Sequence, residues 1–478
     1  MPERRTGLTT LVVFAASFVA YALLMQSQPF GDGISYLAAL SKRELFAHHV
    51  LYLPDLWLGT RPLVALGISE RTAAFVFSAG CAAAGNAALY RLFATSRSLV
   101  PDCRHPLGWT ALVGTTGVVV FFATTVENHT HHYVWGAVFL LALDRAIGRG
   151  PGRWLLAGIA LAGAFASHSS IGLLMPAVVL LTRTAAGIAT WSLPQRRELY
   201  HLALLVAPVV GLKLVEKNVQ VALGAPESWK EVEFSFRFML DMMQPKSAAE
   251  LFDYLGYEIV VPMAGLLAAC AMFVRSTTGT VLVLAAVVPY FIVFGHWHVR
   301  ELGAYYIVVA PFVAITTARC TRTGKVSGFL AAIIVAQAAF AGYQAWTWVG
   351  ARVRPPWKVA AGARAVVGED GSVLFWHGVE TLHARYDQGL VSEPLENWLQ
   401  YLAGEASKRP RFWHEVANDK WQEVLEAGAN KGNMVVSEDL LQRLRQAPLQ
   451  PLGEVLEGRF RLEPVTHGEF TGVRVLPK

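Results

Sequence analysis

Between Leu8 and Val349 the sequence alternates apolar runs long enough to cross a bilayer with short loops that carry charge. A helical run of about 20 apolar residues matches a hydrocarbon core about 30 Å thick, and only helices and closed barrels satisfy their backbone hydrogen bonds in lipid. The pattern therefore predicts an all-α polytopic membrane protein and excludes a soluble globular one. Composition agrees: 54% of the 478 residues are hydrophobic, 16% are charged, and the mean hydropathy is +0.39. The formal charge of +6 is no nucleic-acid signature, because the excess sits in short interhelical loops, where Lys and Arg set orientation. No nucleic-acid partner is expected.

The first apolar segment, Leu8 to Met25, follows Arg4 and Arg5 and lacks a small-x-small cleavage site before Gln26, so it reads as a signal anchor. Further spans are expected near 71–93, 108–126, 131–146, 154–167, 169–183, 200–222, 258–274, 279–295, 303–319 and 326–348, about eleven in all. The pair around His168 is short, and a bent or re-entrant hairpin is the alternative there. Lys213, Glu216 and Lys217 place the outer part of the 200–222 span outside the hydrocarbon or along a polar cavity. Alternate connections collect Arg91, Arg97 and Arg104; Arg145, Arg149 and Arg153; Arg183, Arg196 and Arg197; Arg275; and Arg319, Arg322 and Lys325. That segregation predicts a multi-pass inner-membrane protein with its N-terminus in the cytoplasm and, from the odd count, its C-terminus outside.

Two domains are expected: a membrane domain over 1–350, with outer loops at about 26–70 and 223–257, and a soluble extracytoplasmic α/β domain over 351–478. Ile34 to Phe46, and the Phe- and Met-rich stretch within 223–257, read as amphipathic helices lying on the membrane. In the tail, Ser372–Trp376, Asn433–Ser437, Arg459–Glu463 and Gly472–Leu476 read as strands. Glu393–Glu405, Phe412–Ala427 and Glu438–Gln446 read as helices. The tail has no cysteine, so it folds without disulfides in any compartment. Its Trp376, Trp398, Trp413 and Trp421 suit stacking on sugar or, the plainer role, packing a core.

Eight of the 14 histidines map to the outer ends of spans or to outer loops: His48, His49, His129, His131, His132, His168, His296 and His298. Ionisable groups at membrane depth are costly unless they line a polar cavity, so their accumulation at one face points to a site there. The densest part is Thr125-Val126-Glu127-Asn128-His129-Thr130-His131-His132-Tyr133. If it opens a helix, Glu127 and His131 share a face, as do Asn128 and His132. A polar helix start explains one such residue, not a Glu, an Asn and three His. No fixed ligand spacing such as HExxH appears, so a transition-metal site is not expected, although the pattern leaves room for a divalent cation. Asp32 stands between Gly31 and Gly33, with His48 and His49 downstream; an ordinary Asp-Gly turn is the plainer reading. Arg300 precedes a span containing Tyr305, where its fork suits a lipid phosphate or, alternatively, pairs with Glu301.

Taken in order, GDGISYLAAL, FAHHVLYLPDLWLG, TVENHTHHYVWGAVFLLAL, ASHSSIGLLMPAVVLL and HVRELGAYYIVVAP resemble the GT-C superfamily of membrane glycosyltransferases, nearest to its protein O-mannosyltransferase-like families. The chain departs from the pattern in having a lone Asp at the acidic position and no prolines directly after His48-His49. The resemblance implies a GT-C-like fold and transfer of a hexosyl or pentosyl unit from a polyprenyl-phosphate sugar donor on the outer face. The acceptor would be a hydroxyl of a lipid, glycan or protein. Asp32 would then be the general base, with Glu127 and His131 positioning it or the acceptor. His48, His49, Asn128, His132, His168, His298, Arg300 and Tyr305 would bind substrate, Arg300 taking the departing phosphate. An O-antigen polymerase or ligase, a transporter or lipid flippase, and a non-catalytic scaffold are the competing classes.

Overall fold

A computed structural model describes residues 2–26, 28–42, 49–189, 192–222, 246–297, 301–321, 326–348, 355–376, 378–394, 421–447 and 449–478. The chain divides into two compact units, Met1–Trp348 and Val349–Lys478.

In the first unit each of the expected spans is helical. The helices are α1 (Pro2–Leu23), α2 (Gly33–Lys42), α3 (Tyr52–Ala65), α4 (Glu70–Thr95), α5 (Pro106–Gly114), α6 (Gly117–Ala123), α7 (His129–Ala146), α8 (Pro151–Ser167), α9 (Met175–Ala185) and α10 (Arg196–Ala222). After them come α11 (Ala248–Tyr254), α12 (Val261–Phe273), α13 (Thr277–Trp297), α14 (Val309–Cys320) and α15 (Val326–Trp348). Among the described residues six helices are long and apolar enough to cross a membrane, or seven if a bent pair is one span. Short apolar helices at Ser169–Ala185 and Val309–Cys320 add to them.

The bent pair corrects one expectation. The 108–126 run is no single rod: α5 and α6 meet at 66° across Thr115 and Thr116. A break at membrane depth frees backbone carbonyls that must find partners inside the protein. Tyr21 donates its hydroxyl to the Gly114 carbonyl at 2.7 Å, and Gln337 Nε2 donates to the Leu112 carbonyl at 2.7 Å. Asn86 ties this corner together, donating to Tyr21 Oη at 2.8 Å and accepting from the Tyr133 hydroxyl at 2.7 Å. The alanines of α4, with Ala79, Ala82 and Ala83 fully buried, let neighbouring helices approach closely. At the other end of α7, buried Asp144 accepts from Ser96 Oγ at 2.6 Å and from the Leu99 amide at 2.8 Å. Arg319 holds the same loop by donating to the Ser98 and Leu99 carbonyls at 2.6 and 2.9 Å.

α2 begins one residue before the amphipathic stretch predicted there and runs to Lys42. The rest of that stretch, and most of the outer loop at 223–257, lie outside the described residues. Lys213 lies over the Phe165 ring at 5.2 Å.

The second unit is an α/β fold built on a five-stranded mixed sheet of order β2-β1-β3-β5-β4, with β1 Ser372–Phe375, β2 Val391–Pro394, β3 Met434–Ser437, β4 Phe460–His467 and β5 Phe470–Pro477. β1 runs parallel to β2 and β3, whereas β5 runs antiparallel to β3 and β4. The strand period of two sends Val373 and Phe375 to one face, against α16 (Pro356–Val367), and Leu374 to the other. That second face carries Leu425, Leu440 and Leu452, together with Trp421, whose indole donates to the Leu452 carbonyl at 2.9 Å. Trp421 is therefore core. The four predicted strands are present, and β2 is a fifth; it takes up Glu393 and Pro394, where the sequence suggested the start of a helix. Trp398, Trp413 and most of the helices expected at Glu393–Glu405 and Phe412–Ala427 lie outside the described residues.

Candidate functional site

Asp32 owes its position to two glycines and one glutamate. Gly31 has φ +52°, a conformation that favours glycine, and a methyl there would lie 2.8 Å from Glu127 Oε1. A methyl at Gly33 would overlap the Val126 carbonyl oxygen. The turn before α2 is thus pressed against the turn before α7. Glu127, 4% exposed, accepts hydrogen bonds from the amides of Asp32 and Asn128, the latter at 3.2 Å. It ends just before α7, so it does not share a helix face with His131. It holds the Asp32 backbone instead.

Asp32 itself is exposed, yet protein is dense around its carboxyl. Removal from bulk water and the nearby charge of Glu301 push its carboxyl up to about 6, against an opposing pull from His129. Burial, then Asp32 and Glu301, hold the Glu127 carboxyl well above the usual carboxylate range. Three carboxyl groups therefore share one neighbourhood, a crowding typical of sites that handle protons.

Beside them is a box of rings. His168 lies 5.4 Å from His49, 5.8 Å from His129, 5.3 Å from His132 and 5.3 Å from Tyr305, between ring centroids. Tyr305 is stacked on Phe294 at 3.9 Å. Polar contacts fix the rings: His49 Nδ1 is 2.9 Å from the Ser167 carbonyl and from Asn128 Nδ2. His132 Nδ1 donates to the Ala164 carbonyl at 3.0 Å, and His168 Nδ1 meets Ser170 Oγ at 2.7 Å. His129 Nε2 reaches Glu301 Oε2 at 3.6 Å. His49, Asn128, His132, His168 and Tyr305 are thus brought together as one cluster with Glu127. His48, His298 and Arg300 lie outside the described residues.

His131 takes a different partner from the one its spacing suggested. Its Nε2 is 2.8 Å from Asp55 Oδ2, on α3, and its buried Nδ1 has no partner among the described residues. Asp55 and Glu258 were not singled out in the sequence, and Glu301 was named only as an alternative partner for Arg300. Glu258 Oε2 accepts from the amides of Glu301 at 3.1 Å and Gly303 at 2.7 Å, holding a turn in which Leu302 has φ +55°. A carboxylate inside an apolar run was the signal for Asp55 and Glu258 alike. Among the described residues no three His, Cys, Asp or Glu side chains converge as metal ligands.

No family model matches the sequence, and no curated protein matches it. Solved structures do. ArnT from Cupriavidus metallidurans bound to undecaprenyl phosphate is similar with a TM-score of 0.58 at 12% identity, over 98% of this chain and 98% of that one. The apo state of the same protein gives 0.53 at 12% identity, over 99% and 98%. At such identity the likeness speaks for the fold alone: over nearly its whole length this chain shares the fold of ArnT.

Proposed function

We propose that the chain is a membrane glycosyltransferase that moves a sugar from a polyprenyl-phosphate-linked donor to a hydroxyl acceptor at the outer face. The observation that carries this reading is Asp32: an exposed carboxylate beside buried Glu127, in a chain that shares the fold of ArnT. That ArnT was crystallised with undecaprenyl phosphate supports the donor class. In the transfer the acceptor oxygen bonds to the anomeric carbon as the bond from that carbon to the phosphate oxygen breaks. The acceptor proton passes to the Asp32 carboxylate, and the polyprenyl phosphate leaves with the bonding pair. Glu127 orients Asp32 through its backbone amide, and the ring box, through half-buried His49 and His168, offers flat faces to a sugar. Comparing lipid carriers and surface glycans of a deletion strain with the complemented strain, by mass spectrometry, tests the proposal. Identical profiles in the two strains would overturn it.

Two expectations accompany it. Arg300, by resemblance the group that receives the departing phosphate, should be sensitive to loss of its fork even when charge is kept. Arg300→Lys is expected to weaken apparent donor affinity about tenfold, the loss of one charge-assisted hydrogen bond, with membrane levels unchanged. Unchanged donor affinity in Arg300→Ala would make the residue a membrane anchor. For orientation, a reporter fused after Lys325 should read as cytoplasmic and one after Lys478 as extracytoplasmic. A cytoplasmic signal from the second would overturn the odd span count and the outer placement of the C-terminal unit.

A further inference from the structure

The far end of α7 carries a second constellation that the reaction does not use. α7 runs from His129 to Ala146, so Arg145 stands about 24 Å from the ring box along the helix axis. A groove of about 1520 Å³ opens there, lined by Arg91, Arg97, Arg145, Arg149 and Arg153. All five arginines are exposed. The groove's carboxylates are Asp102 and Asp144, and Asp144 is already occupied by Ser96 and the backbone amides of the 97–99 loop. No guanidinium of the five makes an ion pair with a carboxylate among the described residues. Basic loops suffice to orient a membrane protein wherever they lie. Orientation does not ask five arginines to face one hollow, where their mutual repulsion calls for an anion.

A second hollow adjoins the first. A cavity of about 490 Å³ shares Ser98, Ile147 and Gly148 with the groove; most of its wall is apolar, from Trp154, Val178 and Leu205 among others, and its charged lining includes the Arg183–Glu198 ion pair and Arg197. Its size falls within the range of small-molecule pockets, about 300–1,000 Å³. α1 also lines the groove, and its Leu11 is exposed as a lipid-facing residue would be. An arginine-lined hollow joined to an apolar one, at a helix end beside lipid, matches the two halves of an amphiphile. Planar guanidiniums grip phosphate oxygens in pairs.

We propose that this end of the membrane unit binds an anionic glycerophospholipid, its phosphate headgroup in the arginine groove and an acyl chain in the adjoining apolar cavity. The site is separate from the proposed reaction and does not depend on it. Purified full-length protein is to be examined by native mass spectrometry and thermal unfolding with added phosphatidylglycerol, phosphatidylcholine or inorganic phosphate. The expected result is one retained phosphatidylglycerol per chain and a higher Tm with that lipid alone. The double variant Arg145→Lys/Arg153→Lys keeps the loop charge that orients the chain while removing two forks. It should bind phosphatidylglycerol at least about tenfold more weakly, as loss of one charge-assisted hydrogen bond would give, whereas Arg275→Lys, outside the groove, should bind as wild type. Equal stabilisation by phosphatidylcholine would show a generic lipid effect and overturn the proposal. Equal stabilisation by inorganic phosphate would overturn the lipid assignment. Retention unchanged in both the double-Lys variant and Arg145→Gln/Arg153→Gln would remove the arginines from the site.

Discussion

Asp32→Asn is expected to lower turnover by about 10²–10⁴-fold, the range lost when a positioned general base is removed, at unchanged protein level and donor binding. The amide keeps the shape of the side chain and its place against Glu127, so the loss isolates proton transfer. Turnover of the wild type should fall as pH drops through about 6, where the Asp32 carboxyl takes up its proton. The sign for stability is opposite. A carboxyl raised from 3.8 to about 6 on folding stabilises the fold at low pH, and that contribution is lost as pH rises through about 6. At pH 7 to 8 the ionised group therefore costs stability, and Asp32→Asn should melt no lower than wild type there. An inactive variant that is also less stable would indicate a structural role, and full transfer by well-expressed Asp32→Asn would leave Glu127 as the base. Glu127→Gln should also impair transfer, through the lost hold on the Asp32 amide, with a larger share of the defect in acceptor KM.

Gly33→Ala is expected to cost about 10²-fold in turnover, the scale of an ångström's misplacement of reacting groups, without touching any charged group. Gly33 is the first residue of α2, and alanine is the better helix former by about 0.5–1 kcal/mol. Local propensity therefore predicts a mild gain. The added methyl would overlap the Val126 carbonyl, which is backbone and has little room to give, so the Asp32 turn has to move. A lower Tm together with reduced turnover would mark the close approach of the two turns as the controlling effect. Wild-type turnover in Gly33→Ala would mean that Asp32 needs no such fixed seat.

The helices of the membrane unit were legible because hydrophobicity acts locally: a segment that must face lipid announces it in its own residues. The kink at Thr115 and Thr116 was not, since Leu112, Val113, Val118 and Val119 read as one apolar run across it. What bends the chain is the pair of distant donors, Tyr21 and Gln337, that take the freed carbonyls. The same holds for β2. Val391-Ser392-Glu393-Pro394 lacks a strand pattern, and its pairing with Ser372–Phe375 supplies what the residues do not. Within the site, Asp32, Glu127 and the histidines stood out as costly groups at a membrane boundary. The assignment of His131 to Glu127 failed because it assumed where the helix starts. With α7 beginning at His129, Glu127 turns back to the Asp32 amide and His131 faces Asp55.

The broken α5–α6 pair has a consequence for how the chain is made. Gln337, which caps the Leu112 carbonyl, is 225 residues further along the sequence. At a synthesis rate of about 5–20 residues per second, roughly 10–45 s separate the emergence of the two. For that interval the Leu112 carbonyl lacks its Gln337 donor, while the Gly114 carbonyl already has Tyr21 from the first helix. The last span of the membrane unit thus closes the broken third one, and a chain ending before residue 337 would leave the Leu112 carbonyl without that donor.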